Sequence, residues 1–216
     1  MSTKEQVNKW LHEMMSTILD EYLAVHGFSR KKNSNRYIRI INDVKQEIEI
    51  TTFYKPHYAK EVNAHIYPNL VIVFPRINKI ALDMVSDRTL LANEPDITLR
   101  QPIDFVAPND QRDRWFLHER NSIAAVGQSI INFLDKWVIQ FLNDYSTPEG
   151  IIKCYEADDK RTLAQDHWYI HVAACYVVLN RLEDAKKVLF ERFFRQASRI
   201  RYKKAFNYLE TLGSEI

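Results

Sequence analysis

The hydrophobic period of this chain changes twice, and that succession of periods restricts its fold more than any other feature. Val7, Trp10, Leu11, Met14, Met15, Ile18, Leu19, Tyr22 and Leu23 recur at spacings of three and four, which lays one apolar stripe along a long helix. Thr3 is placed to cap it, because its hydroxyl can accept from a backbone N–H that the first turn leaves unpaired. Gly27 ends it by entering the left-handed conformation cheaply, and Phe28 can fold back on that cap.

The period then shortens to two. Residues 37–41 and 47–54 alternate and are rich in β-branched side chains, so both read as strands, with Asn42-Asp43 in the turn between them. Glu47 and Glu49 fall on one face and Ile48 and Ile50 on the other, so one face of the sheet is expected to meet water. The unbroken apolar run 70–74, closed by Pro75, reads as a central strand covered on both sides. A short helix is expected over 77–85, and weaker strands over 97–99, 103–106 and 114–117.

From about Asn121 the helical period returns. Ile123, Val126, Ile130, Ile131, Leu134, Trp137, Val138, Phe141 and Leu142 mark a long amphipathic helix, and Thr147-Pro148 starts the next with a capping hydroxyl and a proline in the first turn. Further helices are expected over 166–180, 182–196 and 199–212. A helix, an antiparallel meander and then helices make an α+β protein, its sheet packed by the N-terminal helix and by the long central one. The expected division is an α+β domain over 1–146 and a helical extension over 147–216 packed on it.

Composition removes several classes of function. Among 216 residues, 46% are hydrophobic, enough for a sizeable core. The net charge of +2 makes the whole chain no electrostatic magnet, so nucleic-acid binding would need local clusters. The first residues carry an acid and no apolar core of a secretory signal, and no apolar run is long enough to span a membrane. Cys154 and Cys175 stand far apart in expected helices, as reduced core thiols do, so a cytoplasmic location with no membrane contact is expected.

No catalytic constellation emerges. Glycines at 27, 127, 150 and 213 are too scattered for a phosphate loop, and no serine sits in a glycine-flanked elbow. Asp104, Asp110, Asp113 and Glu119 surround Trp115, but acids in turns are ordinary solubilising groups. His167 and His171 stand one helical turn apart and could share a zinc ion, yet Trp168 replaces the glutamate that metalloproteases place after the first histidine. No third ligand follows, so neither a metal nor a cofactor is expected.

Two basic groups remain. Arg30, Lys31, Lys32, Arg36 and Arg39 lie near the first hairpin; Arg192, Arg195, Arg199, Arg201, Lys203 and Lys204 crowd the last two helices beside Phe193, Phe194 and Tyr202. Arg36, Arg39, Arg195, Arg199, Arg201 and Lys203 are the expected partner-binding side chains. Cations beside aromatics also suit single-stranded nucleic acid, through phosphate pairing and base stacking, though here the aromatics keep a helical core spacing. Trp168, Ala173, Tyr176, Leu182, Ala185 and Leu189 follow the tetratricopeptide spacing, in which small residues let two antiparallel helices approach. One such repeat is a packing hairpin and not a solenoid.

The opening helix, the step Gly27-Phe28-Ser29-Arg30-Lys31-Lys32, the strands at 37–41 and 48–53 and the alanine-bearing hairpin at 173–185 resemble an uncharacterised bacterial family, one of the numbered domains of unknown function. The resemblance implies α+β folding and no established activity. The expected function is non-enzymatic binding of a protein partner, as in a bacterial accessory or toxin-neutralising factor. The alternative is a small-molecule or nucleic-acid binding module that uses the sheet face and the basic groups; a homo-oligomer is compatible with either.

Overall fold

A computed structural model describes residues 2–214. Thr3 Oγ1 accepts from the Gln6 backbone N–H while the Gln6 side chain accepts from Thr3 N–H, so two donors bared by the helix start are satisfied reciprocally. The helix runs as α1 (Lys4–Met14), widens into a π-helical turn at Met15–Leu19 and continues as α2 (Asp20–Val25). The extra residue in that turn re-phases the apolar stripe, so Met14, Met15, Leu19 and Leu23 are all buried. Gly27 then adopts φ +80°, and Phe28 N–H donates to the Leu23 carbonyl.

An antiparallel sheet of six strands follows: β1 (Ser29–Arg30), β2 (Arg36–Ile41), β3 (Val44–Tyr54), β4 (Ala64–Val73), β5 (Leu99–Pro102) and β6 (Trp115–Leu117). The first five pair in sequence order, and β6 adds to β4 with Trp115 opposite Ile66. The last part of the chain forms α4 (Ile123–Phe133), a π-helical turn at Leu134–Val138, and α5 (Ile139–Asp144). After these come α6 (Pro148–Glu156), α7 (Asp166–Val178), α8 (Leu182–Arg192), α9 (Gln196–Arg201) and α10 (Lys203–Ser214), while α3 (Pro75–Val85) lies between β4 and β5.

The chain divides into two compact units. The first comprises Met1–Ile41, Lys45–Val71 and Arg100–Asn143. In it the Tyr37 hydroxyl meets the Met15 carbonyl and Asp20, joining the first helix to β2, and α4 packs on β6 and α1. A Cβ on Gly127 would lie 2.9 Å from Ile18 Cδ1 and 3.2 Å from Met14 Cγ, so its absence is what lets α4 approach that helix. Both helices expected on the sheet are therefore there.

The second unit comprises Asn42–Val44, Ile72–Leu99 and Asp144–Ile216. Helix α3, which the sequence groups with the α+β part at 1–146, makes its contacts in this unit, against α7 and α10. Helix α7 meets α3, α6 and α8 and buries Trp168, Ile170, His171, Val172, Ala173, Ala174, Cys175 and Tyr176. It is apolar on all sides because it is the core of its unit, not one arm of a peripheral hairpin. Ala173 and Ala185 have no exposed surface, as the tetratricopeptide-like spacing of small residues requires. Ala173→Leu should overpack α7 and lower stability by about 1–3 kcal/mol, read as a shifted urea midpoint at unchanged slope.

Three local expectations differ from the structure. Residues Ile103–Val106 form a 3-10 turn, because β5 ends at Pro102, which has no N–H to extend the ladder. The last two expected helices are three, broken at Phe193 and Tyr202. These rings stack at 4.2 Å between centroids and are buried, and bringing both inward turns the chain twice. Glu47, expected in water, is 6% exposed and ion-paired to Lys45 at 2.7 Å.

Candidate functional site

The arginines of the N-terminal basic group are engaged by the fold, while Lys31 and Lys32 stay exposed. Arg30 makes two bonds to Asp20, at 2.8 and 2.7 Å, and holds that carboxyl below its ordinary range. Arg36 pairs with Glu49 across the hairpin at 2.9 Å. Arg39 is buried: its guanidinium donates to Gln46 Oε1 at 2.7 Å, the His26 carbonyl at 3.2 Å and Asn143 Oδ1 at 2.8 Å, and lies 4.7 Å from the Phe28 ring centre. Its position on the inward side of β2 makes it a structural cation, so of the two hairpin arginines only Arg36 reaches the surface.

The C-terminal group behaves differently. Between Glu191 and Glu210 the chain has six cations and no acid. Arg192 is engaged, donating to the Tyr155 hydroxyl at 3.1 Å and lying against Tyr169. Arg195, Arg199, Arg201, Lys203 and Lys204 are exposed, and among the described residues none of them forms an ion pair. Large apolar side chains stand beside them: Phe190 is 48% exposed, Phe194 66% and Ile200 69%. Arg199 lies over Phe190 and Arg195 over Phe194, with guanidinium-to-centroid distances of 5.3 and 5.6 Å. The breaks at Phe193 and Tyr202 make this surface, since turning those two rings inward turns Phe194 and Ile200 out.

A second feature lies on the outer face of the sheet in the first unit. Alternation along β4 sends Ala64 and Ile66 inward and His65 and Tyr67 outward. His65 is 7% exposed, covered by rings of Phe53, Tyr58, Tyr67 and Phe116 with centroids 4.8 to 6.2 Å away. Its Nδ1 meets the Tyr58 hydroxyl at 2.6 Å. Burial lowers its pKa, and the Arg114 charge lowers it further, so the ring is neutral near pH 7. Beside it opens a cleft of about 330 Å³ whose lining includes Tyr58, Tyr67, Asp104, Arg114 and Trp115. Asp104 Oδ1 is buried there without a hydrogen-bond donor. The sequence pointed to the acids around Trp115 but not to this cleft, because Tyr58 and His65 arrive from another part of the chain.

His167 and His171 share a face of α7, but the Nδ1 of His171 meets the His167 carbonyl at 2.9 Å and its Nε2 is buried with no partner. Among the described residues no group of three or more His, Cys, Asp and Glu side chains converges as a metal site requires. Cys154 and Cys175 are both buried and unbridged. Among the described residues no helix is long and apolar enough to cross a membrane. In comparisons with protein families, curated proteins and solved structures, nothing matches this chain.

Proposed function

We propose that the chain is a non-enzymatic protein-interaction module whose C-terminal surface docks an acidic, apolar-bearing segment of a partner protein. The observation that carries this reading is the coincidence of Phe190, Phe194 and Ile200, all exposed, with five cations that have no ion-pair partner among the described residues. Exposed apolar side chains favour burial against a partner, and unpaired arginines and lysines choose a negatively charged one. Arg and aromatic residues are also the types that concentrate binding energy at interfaces. Single-stranded nucleic acid fits less well: Phe190 and Phe194 are already faced by guanidinium groups, and Ile200, the most exposed of the three, has no ring on which a base could stack.

Fluorescence anisotropy with three labelled probes tests this: a Glu/Leu/Phe peptide, a Glu/Gly peptide of equal charge, and a single-stranded oligonucleotide. The Glu/Leu/Phe peptide should bind best, and weaken as salt rises. Replacing Arg195, Arg199, Arg201 and Lys203 by alanine, or Phe194 and Ile200 by serine, should each weaken it about tenfold or more, the equivalent of about 1.4 kcal/mol. Equal binding of the two peptides, or a preference for the oligonucleotide, would overturn the reading.

A further inference from the structure

The cleft on the sheet face combines three properties. It has a wall of rings, a buried carboxylate oxygen with no donor, and a cation with no acid partner. Tyr58, Tyr67 and the neutral His65 supply the rings. Asp104 supplies the oxygen: Oδ1 has under 1 Å² of exposed surface and accepts from no protein donor, a costly state for a carboxylate. Arg114 supplies the cation, exposed on the lip and without an ion pair among the described residues. The neighbouring guanidinium of Arg112 is occupied against the Phe105 ring at 4.2 Å.

We propose that this cleft is a binding site for a small zwitterion with an aromatic body, an aromatic α-amino acid being the simplest case. The ammonium group meets the carboxylate of Asp104 where that side chain lines the cleft. The carboxylate meets Arg114, whose planar fork matches its two oxygens. The aromatic body lies among Tyr58, Tyr67 and His65 in edge-to-face or offset contact, the arrangements that ring quadrupoles favour. A ligand of one charge would leave either Asp104 or Arg114 bare, while Asp113, the third ionic group of the lining, already accepts from the Ser129 hydroxyl and the Arg114 backbone N–H. The cleft volume of about 330 Å³ falls in the range of small-molecule sites. The site lies within the sheet unit and does not depend on the C-terminal docking surface.

Calorimetric titration of the full chain with four probes tests it: L-phenylalanine, phenethylamine, 3-phenylpropionate and guanosine monophosphate. L-Phenylalanine should bind, and the two probes lacking one charged group should each bind about tenfold more weakly, roughly the loss of one charge-assisted hydrogen bond. Asp104→Asn should weaken L-phenylalanine and phenethylamine while sparing phenylpropionate. Arg114→Gln should weaken L-phenylalanine and phenylpropionate while sparing phenethylamine. The probe series on the unaltered protein carries the test even if a variant folds poorly. No binding of L-phenylalanine at millimolar concentration, tighter binding of the nucleotide, or variants that weaken every probe alike would each overturn the proposal.

Discussion

Arg39→Leu should lower the stability of the sheet unit by about 2–4 kcal/mol, because it leaves the buried Gln46 oxygen, together with the less covered His26 carbonyl and Asn143 amide oxygen, without their donor. The guanidinium serves Gln46 on β3, the carbonyl of His26 after the first helix, and Asn143 at the end of α5, so one side chain ties three separated stretches of chain. Gln46 is itself fully buried and donates to the Leu142 carbonyl at 2.6 Å, so losing Arg39 disturbs a second bond. Burial lowers the Arg39 pKa, and hydrogen bonds to neutral acceptors offset the cost of holding the charge inside. Arg39→Lys should recover only part of the loss, because an ammonium cannot span the three acceptors in one plane. Urea unfolding checks this, and a change under about 1 kcal/mol for Arg39→Leu would show the bonds to be dispensable. Alanine at Arg195, Arg201 and Lys203 should cost about 1 kcal/mol or less in total, since exposed cations without ion pairs contribute little to folding.

The second large effect is on acid stability. His171 has no exposed surface, and burial pulls its pKa from 6.5 down to about 4, against the contact with the His167 carbonyl, which raises it, and with a smaller lowering from the His167 ring. The unfolded chain takes up the proton first, near pH 6.5, while the folded chain resists until about pH 4. Stability is therefore complete above pH 6.5, falls as the pH drops through that window, and levels near pH 4, a loss of about 3 kcal/mol from this one ring. His167, whose pKa burial also lowers, adds to the same limb. His171→Leu removes the titrating group and should flatten the profile between pH 6.5 and 4, leaving the steeper loss at lower pH, where carboxylates such as Asp20 and Asp159 release their arginine partners. Denaturant titrations of both proteins at several pH values measure this directly. Parallel pH profiles for the two proteins would mean that His171 gains its proton in the folded state as readily as in the unfolded one.

The two predictions rest on residues that the sequence presents in different ways. Arg39 stands three residues from Arg36 in one alternating strand, so alternation puts the two on opposite faces. Which of those faces is inward is chosen by the helices that cover the sheet. His171 sits one turn from His167 in an arrangement that suggests a metal pair, whereas the packing of α3, α6 and α8 around α7 makes it a core side chain.

Local signals did determine much of the architecture. The Thr3 cap, the left-handed Gly27, the alternating strands at β2 and β3 and the Thr147-Pro148 restart were all legible, because each depends on the conformational preferences of a few adjacent residues. What tertiary structure alone decided is which side chains meet. It withdrew Arg30 and Arg39 from the surface, sent α3 to the second unit, and broke the last helices at Phe193 and Tyr202. It also gathered Tyr58, His65, Asp104 and Arg114 from four stretches of chain into one cleft. The physical reason is common to all of them. Helical and strand periods follow from bonds along one stretch of backbone, whereas burial, charge pairing and clefts are set by contacts between residues far apart in sequence, whose geometry no single stretch contains.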